Sequence, residues 1–163
     1  MFEAEIRLAQ EAFERGDYAQ SAQIFERLGA LAAARRGPRA PRFYILAARG
    51  WMLAGDPHRG EPLLDEGRRL ALAMGAFPAL IPLLTRLHGE MVTLGLNEQA
   101  ARIAAWLPEG QPQAHSESQI NRLAPKLPLK CPSCGASVHP GEVEWLDETT
   151  AECAYCGSAL RDE

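Results

Sequence analysis

All four cysteines of the chain lie in two closely spaced pairs near its end. Two residues separate Cys131 from Cys134, two separate Cys153 from Cys156, and eighteen residues lie between the pairs. Two intervening residues allow a tight turn that directs both thiolates at one ion, and the glycine that follows each pair suits such a turn. Two turns of this kind complete a tetrahedron, so the spacing predicts one metal ion bound by all four thiolates.

The segment between the cysteine pairs alternates as EVEWLD and TTAEC, which predicts a β-hairpin that turns near Asp147 and Glu148. Residues 129–160 therefore resemble a zinc ribbon, and the resemblance implies one structural zinc ion. So short and polar a segment would hardly fold without metal, because zinc supplies on the order of 10 kcal/mol that its small core lacks. Rubredoxin-like iron sites share the paired turns but normally have a longer spacer, so iron is the alternative metal.

A catalytic role is not expected from these residues. A redox-active CxxC belongs at the start of a helix in a βαβ frame, which the pattern does not suggest, and four thiolates leave a metal ion no open position for substrate. The sequence has no glycine-rich phosphate loop, GxSxG or HExxH motif. His139 lies within the ribbon and is expected to be a loop residue. We therefore expect a non-enzymatic protein.

The first hundred residues contain a repeat with a long period. Three glycines, Gly16, Gly55 and Gly95, are spaced 39 and 40 residues apart, and each has an apolar stripe at helical spacing before it and another after it. A small residue stands five positions after each glycine, at Ser21, Gly60 and Ala100. The pattern predicts three units of helix, tight turn and helix, with Asp17, Asp56 and Asn97 as capping or turn residues.

The repeat has a small residue on each second helix and an apolar residue four positions later, which is large in the first two units (Phe25, Leu64) and small in the third (Ala104). In these features it resembles the tetratricopeptide family, although the usual period is 34. The resemblance implies a mainly α fold: a helical-hairpin repeat array of about three units over residues 1–108. A linker at 109–128, with a short helix capped by Ser116, would lead to a small zinc-ribbon β-hairpin domain at 129–163. Gly60, Pro62 and Gly67 are expected to weaken the fourth helix.

In the tetratricopeptide family the first helix of each unit lines a concave groove that binds a protein segment. By the alignment, this face would include Gln10, Arg42, Arg49 and Thr85, and its arginines suit an acidic peptide. The alternative is a solvated charged helix face. Trp145, whose neighbours on the hairpin are acidic, is expected to pack internally or contact a protein rather than a nucleic acid.

The charge of the chain is divided unevenly. The first 130 residues carry 16 Lys and Arg against 14 Asp and Glu, whereas residues 131–163 carry one Arg against seven acidic residues. This division leaves two alternatives open beside a separate partner protein: the acidic ribbon docks on the helical part of its own chain, as a cap or a latch, or the chain self-associates. The preferred function is a protein–protein adaptor. The alternative is a nucleic-acid or transcription-associated factor in which Arg35 to Arg42 contact phosphates, which the acidic ribbon disfavours.

The compartment is expected to be cytoplasmic, without a membrane segment. The first ten residues, MFEAEIRLAQ, carry acidic residues and have no apolar core of a signal peptide. The longest uncharged run, Leu70 to Thr85, is shorter than the roughly 20 residues of a membrane helix and contains two prolines and a glycine. In a reducing compartment, paired cysteines are more often metal ligands than disulfides.

Overall fold

The structure is a computed structural model that describes residues 2–108, 127–139, 143–146 and 149–161. In these ranges six helices are followed by three short strands. The helices are α1 (Glu3–Glu14), α2 (Tyr18–Ala34), α3 (Ala40–Leu53), α4 (Pro57–Ala73), α5 (Phe77–Thr93) and α6 (Asn97–Trp106), and the strands are β1 (Glu144–Trp145), β2 (Thr150–Glu152) and β3 (Ala159–Arg161). The prediction of a mainly helical chain with a small antiparallel sheet after it is confirmed. The short helix predicted in the linker lies outside the described residues.

Each of the three glycines on which the repeat was aligned stands at the end of a helix in left-handed backbone conformation. The φ angles are 80° at Gly16, 87° at Gly55 and 74° at Gly95, a region that costs glycine little and other residues more. The side chains of Asp17 and Asp56 then cap α2 and α4 by accepting a hydrogen bond from the backbone N–H three residues on. Asn97 differs: it is the first residue of α6, and Leu96 occupies the cap position.

Helix α4 is continuous, although its glycines and Pro62 were expected to weaken it. A Cβ atom on Gly60 would lie 2.9 Å from the carbonyl oxygen of Ala48, and one on Gly67 would lie 2.8 Å from Cδ1 of Ile45. The two glycines therefore allow α4 to approach the backbone of α3 closely. Packing of this kind supplies most helical stability in proteins and outweighs the low intrinsic propensity.

The three strands form one antiparallel sheet in the order β1, β2, β3. In the pairing of β1 with β2, Glu144 lies opposite Glu152, as the predicted hairpin requires, and Ala151 pairs with Leu160 of β3. Strand β3 was not predicted; it has three residues with a single buried side chain and forms by pairing with β2.

The six helices share one apolar core with the described residues from 127 to 161, which are called the ribbon below. Buried side chains of the ribbon, among them Val138, Tyr155 and Leu160, belong to the same cluster as Phe25 and Phe43 of the helices. The ribbon contacts α1, α2 and α3 and shares clefts with α5. No helix in the described ranges is both long enough and apolar enough to cross a membrane.

Candidate metal centre

The two cysteine pairs adopt the same local turn. The N–H of Gly135 donates to the carbonyl of Cys131, and the N–H of Gly157 donates to the carbonyl of Cys153. Both glycines have a φ of 74°, which explains why glycine follows each pair. Each turn therefore holds its two thiols on the same side of the chain.

The four sulfur atoms meet in one buried cluster. The Sγ atoms of Cys131 and Cys156 are 3.6 Å apart, those of Cys134 and Cys153 are 3.8 Å apart, and all four lie within 4.8 Å of one another. A zinc ion at about 2.3 Å from each sulfur would space the sulfurs by about 3.8 Å in a regular tetrahedron. The four cysteines therefore fit a tetrahedral metal ion, and a four-sulfur set suits zinc or iron.

The thiols interact strongly with one another. The pKa of Cys134 is raised, first by its hydrogen bonds with Cys153 and Cys156 and then by burial. The pKa of Cys153 is lowered by its bond with Cys134, but its bond with Cys156 and its burial outweigh that effect and raise it to about 12. The pKa of Cys156 is lowered, because the other two thiols donate to it. Four thiolates so close together need a cation to balance their charge.

Gln10 of α1 joins the helical part to the first cysteine turn. Its side-chain amide donates to the carbonyl oxygen of Ser137 at 3.2 Å and accepts from the N–H of Ser137 at 3.0 Å. The side chain thus pairs with both backbone groups of one residue, which is how one strand recognises another. Nearby, His139 lies 3.2 Å from a carboxylate oxygen of Glu14.

Arg42 of α3 joins the helical part to the second cysteine turn. It is 8% exposed and forms an ion pair with Glu152, the residue before Cys153. Its guanidinium also covers the backbone of Gly157, where an added Cβ would lie 2.7 Å from Nε. Burial raises the pKa of Glu152, and the neighbouring Arg42 opposes that shift. Glycine at position 157 thus serves both the cysteine turn and the contact with Arg42.

Tyr155, between the last two cysteines, inserts into the helical core. Its ring stacks on that of Phe25, with centroids 6.4 Å apart and an interplanar angle of 14°, and Phe25 in turn stacks on Phe43. Tyr155, Glu152 and Ser137 were not among the residues singled out from sequence. An aromatic residue inside a polar cysteine turn was a signal that could have identified Tyr155.

The other groove residues predicted from sequence have different surroundings. Arg49 makes a two-pronged ion pair with Glu90 of α5, at 2.6 to 3.1 Å, and its guanidinium lies 4.3 Å from the ring centroid of Phe13. The hydroxyl of Thr85 donates to the carbonyl of Ile81 within α5. Trp145 lies in β1 opposite Ala151, and its side chain is outside the described part of the structure.

Two clefts follow the seam between ribbon and helices. One is lined by Arg42 and Arg86 from the helices and by Glu144 and Glu152 from the ribbon. The other, of about 220 Å³, is lined by Arg39, Arg42, Glu152 and Cys156 together with apolar residues. Basic residues of the helical part thus face acidic residues of the ribbon.

No family model, curated protein or solved structure matches the chain.

Proposed function

We propose that the chain is a non-enzymatic adaptor: a long-period tetratricopeptide-like array binds protein segments, and a structural zinc ribbon occupies part of its groove. The three helix pairs with left-handed glycine turns support the repeat interpretation. Phe25 of α2 stacks on the ribbon, and all three first helices of the pairs, α1, α3 and α5, contribute residues that face it. This arrangement is the one expected if these helices line a groove.

Zinc is the metal that this proposal assigns to the four cysteines. The sulfur spacing fits its bond length, and all four sulfurs are buried. A tetrahedral ion with four thiolate ligands has no position left for a substrate, so its contribution is to hold the two cysteine turns together. The proposed ligands are Cys131, Cys134, Cys153 and Cys156.

The observation that carries the adaptor proposal is the pairing of Gln10 with Ser137. A side-chain amide that pairs with the N–H and the C=O of one residue recognises a polypeptide backbone, whatever the side chain of that residue. The face of α1 is therefore suited to binding polypeptide. Arg42 adds recognition of a carboxylate on the same side of the array.

Native mass spectrometry of the full chain, isolated gently from its own cells, combined with cross-linking, tests this function. We expect one zinc ion per chain and a co-isolated protein cross-linked to α1, α3, α5 or the outer face of the ribbon. Cross-links confined to α4 and α6 would contradict the proposal. Co-isolated nucleic acid without protein would instead favour the transcription-associated alternative.

A further inference from the structure

We propose that the surface beneath the ribbon is itself a binding site for an acidic, aromatic-containing segment of another protein, and that loss of the ribbon's metal ion opens it. This inference rests on the adaptor function proposed above and specifies the chemistry of its ligand. The ribbon is then an intrachain competitor that occupies the site while the metal is bound.

The contacts that hold the ribbon in place come from separate parts of it. Ser137 follows the first cysteine turn, Glu152 ends β2, and Tyr155 lies within the second turn. Their relative positions depend on the cysteine cluster and on strands of two or three residues. Without the metal, such a small unit has too little core of its own to keep these groups aligned.

Departure of the ribbon would remove three contacts from the helical surface beneath it. Gln10 would lose a backbone partner, Arg42 would lose its carboxylate, and Phe25 would lose the ring that covers it. Water would solvate Arg42 and Gln10 once the ribbon leaves, but the ring of Phe25 would become exposed, so the vacated surface favours a ligand that covers this ring and pairs with both polar side chains. Arg39 and Arg86, which line the clefts beside Arg42, add positive charge.

The three side chains that lose a contact define the ligand as a polypeptide rather than a nucleic acid. Arginines and an aromatic ring could accept phosphates and a base, but Gln10 matches the N–H and C=O of a peptide group. The ribbon indicates the pattern: Glu152 and Tyr155 are three residues apart and reach Arg42 and Phe25. A partner segment with a glutamate followed by an aromatic residue at similar spacing fits the same surface.

The test compares the full chain with metal bound and after chelation under reducing conditions. The probe is a fluorescent random copolymer of glutamate and tyrosine, with polyglutamate and a single-stranded oligonucleotide as comparison ligands. We expect the copolymer to bind the metal-free chain about tenfold more tightly than the metal-bound chain, and more tightly than polyglutamate does. Equal binding to both forms, or stronger binding of the oligonucleotide, would overturn the inference.

Two variants with the same loss of charge localise the binding. Arg42→Gln removes the buried cation, whereas Arg27→Gln removes an exposed one on α2. In the metal-free state, Arg42→Gln should weaken copolymer binding about tenfold, and Arg27→Gln should leave it within about twofold. Phe25→Leu should reduce the preference for the copolymer over polyglutamate. Equal effects of the two arginine variants would contradict a defined site.

Circular dichroism of the metal-free chain completes the test. The helical signal should persist after chelation, because the proposed binding site is formed by the helices and needs them to stay folded when the ribbon does not. Loss of the helical signal on removal of the metal would overturn the inference. The adaptor function can stand without this site. If the metal-bound chain cross-links to a partner through the ribbon but the metal-free chain does not bind the copolymer, the adaptor function is retained and the binding site beneath the ribbon is rejected.

Discussion

At the scale of single residues, Gln10 combines a donor and an acceptor in one side chain and uses both on Ser137. Replacement by alanine would leave the backbone groups of Ser137 without these partners in a partly buried position. We expect Gln10→Ala to lower the free energy of unfolding of the metal-bound chain by about 1–3 kcal/mol. Gln23→Ala, on the exposed face of α2, should change it by less than about 0.5 kcal/mol in the same urea titration. Equal changes in the two variants would mean that the hydrogen bonds between Gln10 and Ser137 do not contribute to stability.

Two glycines within helices differ in the space available for a side chain. A Cβ on Gly50 of α3 would lie 2.8 Å from the Cβ of Ala22 and 3.0 Å from the carbonyl oxygen of Tyr18, whereas a Cβ on Gly89 of α5 would meet nothing within 4 Å. We expect Gly50→Ala to destabilise the chain by about 1–3 kcal/mol through overpacking. Gly89→Ala should stabilise it by about 0.5–1 kcal/mol. Thermal unfolding distinguishes the two, and a gain at position 50 would contradict the close approach of α2 and α3.

Residue-scale prediction succeeded where a local pattern determines the outcome. The CxxCG spacing brings the two thiols of each pair together because each turn is built by its own five residues, and the hairpin between the turns brings the two pairs together. The assignment of Gln10 and Arg42 to a partner-binding face follows from the repeat alignment and stays a prediction; in the structure both side chains contact the ribbon. The partners of Glu152 and Tyr155 could not be assigned, because they are more than a hundred residues away and depend on how the ribbon is oriented.

At the scale of elements, the turn glycines and capping aspartates indicated where helices begin and end, because these signals are local. The continuity of α4 does not follow from its own sequence, since Gly60 and Gly67 are explained only by the close approach of α3. Asn97 was assigned to a cap or turn because the three units were assumed to be alike. Strand β3 escaped prediction because it needs β2 as a partner.

The ribbon as an element is anchored by Tyr155, whose ring is buried against Phe25. Tyr155→Ala should lower the free energy of unfolding by about 3–5 kcal/mol. Because all four cysteines remain, the folded variant should still bind one metal ion. Tyr155→Phe keeps the ring and should retain most of the stability. Metal analysis with urea titration checks both, and a full loss of metal in Tyr155→Ala would mean that the metal site depends on docking.

At the scale of the whole molecule, charge and apolar burial act together. The ribbon is acidic and the helices carry a slight excess of basic residues, and the two parts share one apolar core. Arg42 lies at the junction, in contact with Glu152 beside Cys153 and with Gly157 beside Cys156. A change at the cysteine cluster should therefore be transmitted to the helices. Neither part of the sequence, taken alone, could have predicted this dependence.

Removal of the metal tests that dependence in the full chain. A metal ion that binds only the folded ribbon stabilises it by mass action, so chelation under reducing conditions should lower the midpoint of thermal unfolding. Protons compete with the metal for the thiolates, so the difference between metal-bound and chelated samples should shrink as the pH falls. The double variant Cys153→Ser/Cys156→Ser should unfold at the same temperature with and without chelator. If chelation left the wild-type midpoint unchanged at neutral pH, the helices would be independent of the ribbon, and the shared core would contribute little to stability.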